Sequence, residues 1–319
     1  MLFACAETCE VYTNTMSTPK TVIQLKHVTK QWGSLAALND VSFKVQSGEI
    51  VGFVGANGAG KTTTISAILG FIGATVGTVE LFGEKVEPQS AHKLHNRIGY
   101  AAGDMELPAK LTARQYFSFL LHQSDGDYAD QYKELVQRFK PELGKKIGTL
   151  SRGNKQKIAL IAAFMTDPDV VILDEPTSGL DPVMQEAFLG LVRDLRARGK
   201  TIFMSSHYLT EVADVCSRVL LMREGVIIQD VSAQQLLKRS GKQVHIVTGY
   251  KAIRPPKGAS EVKTTTKGTK TTLSFVYNGP ADELQPWIAS VKQLLDIEIT
   301  EYNLEGAFKS LYESEEKSS

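Results

Sequence analysis

Three cysteines among 319 residues are too few for a disulfide framework. They stand at Cys5, Cys9 and Cys216, and the pair Cys5-x-x-x-Cys9 has no second ligand pair, so no zinc site is expected. A charge surplus is also missing. Lys+Arg number 36 and Asp+Glu 35, a net +1, which gives no global pull toward nucleic acid. Long apolar runs are absent as well. The longest, Ile158–Met165, has 8 residues, against about 20 for a membrane-spanning helix. A membrane span is thereby excluded, whereas docking onto a membrane protein is not. What is present has an ordinary balance, 42% hydrophobic and 22% charged, as in soluble globular chains with one large or two modest domains.

Residues 1–19 have neither the basic segment nor the apolar stretch of a secretory signal. They are expected to be a disordered extension, with Met16 as an alternative start. Alternation of apolar and polar residues predicts strands at 21–28 and 41–46. Short apolar runs at 50–54, 170–173 and 201–205 predict buried strands, and helices are predicted at 62–69, within 111–139 and at 183–198. Strands alternating with helices indicate an α/β domain with a mostly parallel sheet. Composition shifts near residue 238. Residues 238–271 hold nine Lys/Arg and one acid, Glu261, whereas 280–319 hold nine acids and three lysines. The expected division is therefore 1–19, 20–238 and a small α+β accessory unit over 239–319. In that unit strands are predicted at 243–250, 260–266, 271–277 and 295–300, with helices at 280–294 and 303–315.

The strongest signal is Gly55-Ala56-Asn57-Gly58-Ala59-Gly60-Lys61-Thr62, a full G-x-x-x-x-G-K-[ST] loop between an apolar strand and a helix. Glycines let the backbone wrap a phosphate, and its N–H groups form an anion nest backed by the positive end of the helix. Lys61 would reach the β- and γ-oxygens of a nucleoside triphosphate, and Thr62 would give its hydroxyl to Mg²⁺. The residues expected to hold the nucleotide are Gly55, Asn57, Gly58, Ala59, Gly60, Lys61, Thr62 and Thr63. A second signal lies 113 residues after Lys61, where Val170-Val171-Ile172-Leu173 runs into Asp174-Glu175. Ligands of open parallel sheets sit at such strand ends. Asp174 there can hold Mg²⁺ through water, and Glu175 can orient or deprotonate an attacking water.

Three further segments complete an ordered set: Leu150-Ser151-Arg152-Gly153-Asn154-Lys155-Gln156, Ser178-Gly179-Leu180-Asp181, and Ser206-His207. With the loop and the acidic strand, residues 20–238 resemble the ATP-binding subunits of ABC transporters. The resemblance implies a P-loop NTPase core with an antiparallel β subdomain and a helical subdomain. It implies that Ser151, Gly153 and Asn154 meet the γ-phosphate of ATP held by a second subunit, so that two copies, or two related chains, close head to tail on two ATP molecules. It likewise implies that His207 bonds the γ-phosphate, that Asp181 contacts the opposite subunit, and that Trp32 stacks on adenine. Ser151 would also serve as a plain helix N-cap, and the two roles are compatible; the alternative for Trp32 is a place in the core of the small antiparallel subdomain. Three positions depart from the family pattern. The signature carries Arg152 and Asn154 in place of Gly and Gln, and Gly103 stands where the family has Gln or Glu after a strand. Asp104, one residue on, is the candidate substitute in coupling.

The resemblance further implies ATP hydrolysis coupled to transport, with Glu175, His207 and Lys61 as the catalytic set and ATP with Mg²⁺ as cofactors. The partner would be a separately encoded membrane permease, and the location peripheral, on the cytoplasmic face of the membrane. No nucleic acid is expected. The single ATP-binding domain, the L-S-x-G-N-K-Q-K signature and the tail around Leu304 to Tyr312 look most like ABC-2 type exporters. Two alternatives stay open: the ATPase of an importer, and a soluble ATPase of the same superfamily acting on nucleic acid or ribosomes.

Overall fold

A computed structural model describes residues 20–235, 241–250 and 252–301. The expectations for the extension 1–19, for the boundary at 238, for the helix at 303–315 and for the Leu304 to Tyr312 tail lie outside the described residues.

The described chain opens with the antiparallel pair β1 (Thr21–Trp32) and β2 (Leu35–Gln46), followed by β3 (Ile50–Val54) and, after the glycine loop, α1 (Lys61–Ile68). β4 (Val76–Leu81) and β5 (Glu84–Lys85) return to the first sheet, in the order β2–β1–β4–β5. β6 (Ile98–Ala102) leads into the helices α2 (Ala113–Gln123), α3 (Ala129–Phe139) and α4 (Arg152–Phe164). Then come β7 (Val170–Asp174), α5 (Pro182–Ala197), β8 (Thr201–Ser206), α6 (Leu209–Val215), β9 (Arg218–Arg223) and β10 (Val226–Ser232). The second sheet has the order β10–β9–β3–β8–β7–β6, parallel throughout except for β10.

Every residue of β3, β7 and β8 is buried, as expected of parallel strands covered on both faces. Successive side chains serve opposite layers. Val171 and Leu173 join the cluster of the helices α2 to α6, whereas Val170 and Ile172 join the cluster shared by α1 and the first sheet. In that second layer Phe43, Phe53 and Phe203 form a ring cluster with centroids 5.3–6.1 Å apart. α6 lies directly on β3 because residue 52 is glycine. A Cβ there would come 1.8 Å from Val212 Cγ1 and 3.1 Å from Cys216 Sγ. Cys216 is fully buried, and burial pushes its thiol pKa up.

Local chemistry sets the helix starts. Thr112 and Gln115 form a reciprocal capping box for α2. Asp181 caps α5 ahead of Pro182 in the first turn.

The third sheet is antiparallel and joins β11 (Lys242–Thr248), β12 (Ala259–Lys267), β13 (Lys270–Tyr277) and β14 (Leu294–Glu301) in the order β12–β13–β11–β14. α7 (Ala281–Ser290) covers it, with Leu284 among Val244, Ile246, Leu273 and Phe275, and Trp287 edge-on to Phe275. This helix is shorter than the predicted 280–294. Thr248 Oγ1 donates to the Lys292 carbonyl at 2.6 Å and Gly249 N to the Gln293 carbonyl at 3.0 Å, which draws the chain into the sheet before another turn can form.

Candidate nucleotide site

The parallel strands deliver their carboxyl ends to one edge of the second sheet. β3 ends in the glycine loop, β7 in Asp174 and Glu175, β8 in Ser206 and His207, and β6 in Gly103 and Asp104. This is where a ligand of an open α/β sheet is expected.

The loop is shaped by two left-handed glycines. Gly58, at φ 81°, has nothing within 4 Å of where a Cβ would project, so its backbone faces open space. Gly60, at φ 107°, stands just before α1, and a Cβ there would lie 2.8 Å from the Ala37 carbonyl oxygen. Lys61 is 5% exposed and donates from Nζ to the carbonyls of Gly55 at 2.7 Å and Ala56 at 3.2 Å. Thr62, next along, is exposed. A cleft of about 660 Å³ adjoins the loop, with Trp32, Asn57, Gly58, Lys61, Thr62 and Glu175 among its walls. Trp32 is 54% exposed and carries the Lys30 ammonium 4.2 Å from its ring centroid, which places it at the cleft rather than in a core.

Glu175 sits between two basic groups. Its Oε1 is 3.6 Å from Lys61 Nζ and its Oε2 is 3.7 Å from His207 Nδ1. Its backbone is left-handed at φ 50°. A hydrogen bond from its N–H to Ser205 Oγ, 2.9 Å, helps to hold that conformation. Ser205 Oγ donates in turn to Asp174 Oδ1 at 2.5 Å, and Asp174 is 5% exposed. Asp174 and Thr62 offer only oxygen, a hard donor set that fits Mg²⁺. No group of three or more His, Cys, Asp or Glu that could hold a metal occurs among the described residues, so the fit rests on those two oxygen donors.

The remaining expected residues lie outside this cluster. Ser151 caps α4, accepting from Asn154 N at 3.3 Å. The Asn154 amide is turned within its own protomer, donating to Glu142 Oε1 at 3.2 Å and lying 3.4 Å from Ser151 Oγ. Gly153 packs on the turn after Glu175, where a Cβ would come 2.8 Å from the Gly179 carbonyl oxygen. Asp181 accepts from Met184 N. Gly103 N donates to the Asp174 carbonyl at 2.8 Å, and Asp104 bonds Arg152.

The structure adds residues that the motifs do not mark. Glu224 and Gly225, the turn between β9 and β10, line the cleft, and Gly225 N donates to the Ala59 carbonyl. The dipeptide Glu224-Gly225 between apolar stretches was the available signal for a tight hairpin. Glu211 accepts through Oε2 from Thr177 Oγ1 at 3.1 Å and Ser206 Oγ at 3.0 Å, tying together the turns that follow Glu175 and precede His207.

A family model described as ABC transporter matches residues 38–178. The Nod factor export ATP-binding protein I of Burkholderia lata is 34% identical over 226 residues, 69% of this chain and 74% of that protein. The bacitracin transport ATP-binding protein BcrA of Bacillus licheniformis is 35% identical over 228 residues, 70% of this chain and 73% of that one. A solved ATP-binding subunit of an ABC transporter superposes with a TM-score of 0.63 at 26% identity, over 69% of this chain and 93% of the other. A dimeric ATP-binding cassette with ADP and Pi bound has the same fold, with a TM-score of 0.60 at 24% identity, over 66% of this chain and 98% of that one. Sequence and fold thus agree with the order of the motifs, and the chain belongs to the ABC transporter family, among its ATP-binding subunits.

Proposed function

We propose that this chain hydrolyses ATP to drive an export system through a membrane permease encoded elsewhere, working as a head-to-tail pair on the cytoplasmic face of the membrane. The observation that carries the chemistry is the placing of the Glu175 carboxylate between Lys61 and His207 beside the glycine loop. In this reading the N–H groups of residues 55–62 hold the phosphates, Lys61 leaves its carbonyl partners for the β- and γ-oxygens, and Trp32 stacks on the base. Thr62 and, through water, Asp174 would hold Mg²⁺, which when bound neutralises charge on the phosphate oxygens. Glu175 takes the proton of the attacking water, and His207 donates to the γ-phosphate. Ser151 and Gly153 at the start of α4 face the nucleotide of the mate.

No helix among the described residues is long and apolar enough to cross a membrane. That agrees with a subunit that borrows its membrane path. The relative named for Nod factor export favours export over import.

Phosphate release by the purified protein with magnesium-ATP tests the reading. Glu175→Gln is expected to keep nucleotide affinity and to lower turnover by about 10²-fold or more. It should also accumulate a dimer on size exclusion in ATP. Unchanged turnover would remove Glu175 from its role. Co-purification with a multi-span membrane protein tests the partner.

A further inference from the structure

Three stretches distant in sequence meet at one guanidinium nitrogen. Arg152 Nη2 donates to Asp104 Oδ1 at 2.8 Å and to Ser178 Oγ at 3.0 Å. Arg152 is the first residue of α4, directly after Ser151; Asp104 follows the end of β6; Ser178 lies three residues beyond Glu175. The backbone draws the same junction together. Gly103 N bonds the Asp174 carbonyl at 2.8 Å, and Ser178 N bonds the Glu175 carbonyl at 3.1 Å. Gly179, left-handed at φ 79°, makes room for the arginine stem, since a Cβ there would be 3.1 Å from Arg152 Cγ and 3.2 Å from Cδ.

An arginine in the first helical turn is electrostatically misplaced, because that end of a helix is positive. No acidic residue in the first turn of α4 compensates it. The compensating carboxylate arrives from another element, as Asp104. The ion pair is open to water, with the arginine side chain 58% and the aspartate 88% exposed, so it adds little to global stability. Its effect is geometric: one guanidinium nitrogen bonds acceptors on two loops and ties the helix start to both.

We propose that Arg152 is a positioning residue. Through Asp104 and Ser178 it fixes the Ser151 turn on the turn that carries Glu175. The surface that one protomer offers to the nucleotide of its mate then moves together with its own hydrolytic carboxylate, and with the strand end that leads to α2 and α3. Arg152, a departure within the signature, and Asp104, the residue after the departing Gly103, are in this view one paired device. The inference rests on the reading that Ser151 faces the partner's nucleotide.

The test is a double-mutant cycle in the full chain, with magnesium-ATP as the probe: Asp104→Ala, Arg152→Ala, the double variant, and Arg152→Lys. The two single variants and the double are expected to share one lowered kcat, about 3- to 10-fold below wild type. Equilibrium affinity for magnesium-ATP should be unchanged, and Arg152→Lys should recover part of the loss. Single variants with wild-type kcat would overturn the proposal. So would losses that multiply in the double variant, or losses matched by an equal fall in nucleotide affinity, which would mark a general structural defect. A wild-type protein without ATPase activity would instead overturn the underlying reading, a result distinct from active wild type with indifferent variants.

Discussion

Glu175 holds a backbone conformation that costs a non-glycine residue about 1–3 kcal/mol, and its neighbours supply the restraint. Ser205 Oγ accepts from the Glu175 N–H and donates its own hydroxyl hydrogen bond to Asp174. Glu211 gathers the hydroxyls on either side, from Thr177 and Ser206. Glu211→Ala is therefore expected to lower kcat several-fold with little change in KM, while Glu211→Gln, which keeps an acceptor oxygen, loses less; steady-state phosphate release separates the two. Tyr100 on β6 offers a second residue-scale check. Burial, and next the charge of Asp174, push its phenol up to about 12. In the unfolded chain it releases its proton near 10. Between those values the unfolded state binds fewer protons, so stability contributed below pH 10 is lost as pH rises toward 12. The melting temperature should fall over that window, and should fall less in Tyr100→Phe. Lys61, Thr62 and Glu175 were legible as residues because phosphate chemistry demands their types at fixed spacing. Ser205 and Glu211 were not, since each makes its contact with a residue 30 or more positions away in sequence.

The elements were read best where both faces are buried. The predicted strand at 50–54 coincides with β3, and 170–173 and 201–205 fall one residue short of β7 and β8. Alternation predicts a strand over 21–28, yet β1 runs to Trp32, because left-handed His27 and successive register shifts break the alternation without ending the pairing with β2. β9 and β10 were not recognised, since arginines flank the first and mixed exposure blurs the period of the second. Two substitutions test elements rather than chemistry. Ser151→Ala removes the N-cap of α4 and should cost about 1 kcal/mol in denaturant unfolding. Gly52→Ala forces a methyl into the Val212 side chain and should cost about 1–3 kcal/mol.

For the whole molecule, the proposed division of the site between two protomers makes a prediction that no single-chain enzyme shares. Lys61→Ala and Ser151→Arg protomers should each be nearly inactive alone. Mixed, they should regain phosphate release, because one of the two sites in a hybrid pair combines an intact loop with an intact α4 start. Mixtures no better than their components would argue that each chain works alone. The core architecture was legible because strand and helix periods alternate. The twofold arrangement came from the resemblance alone, for nothing in composition or periodicity marks a face whose ligand lies on another molecule.

Cys216, sealed between α6 and the strand behind the glycine loop, gives the protein an internal tell-tale. With Cys5 and Cys9 replaced by serine, a thiol-directed dye added during turnover can label it only while that layer lifts away from the sheet. Tight, slow labelling throughout cycling would mean that the machine swings as stiff plates, its stroke confined to loops and rims.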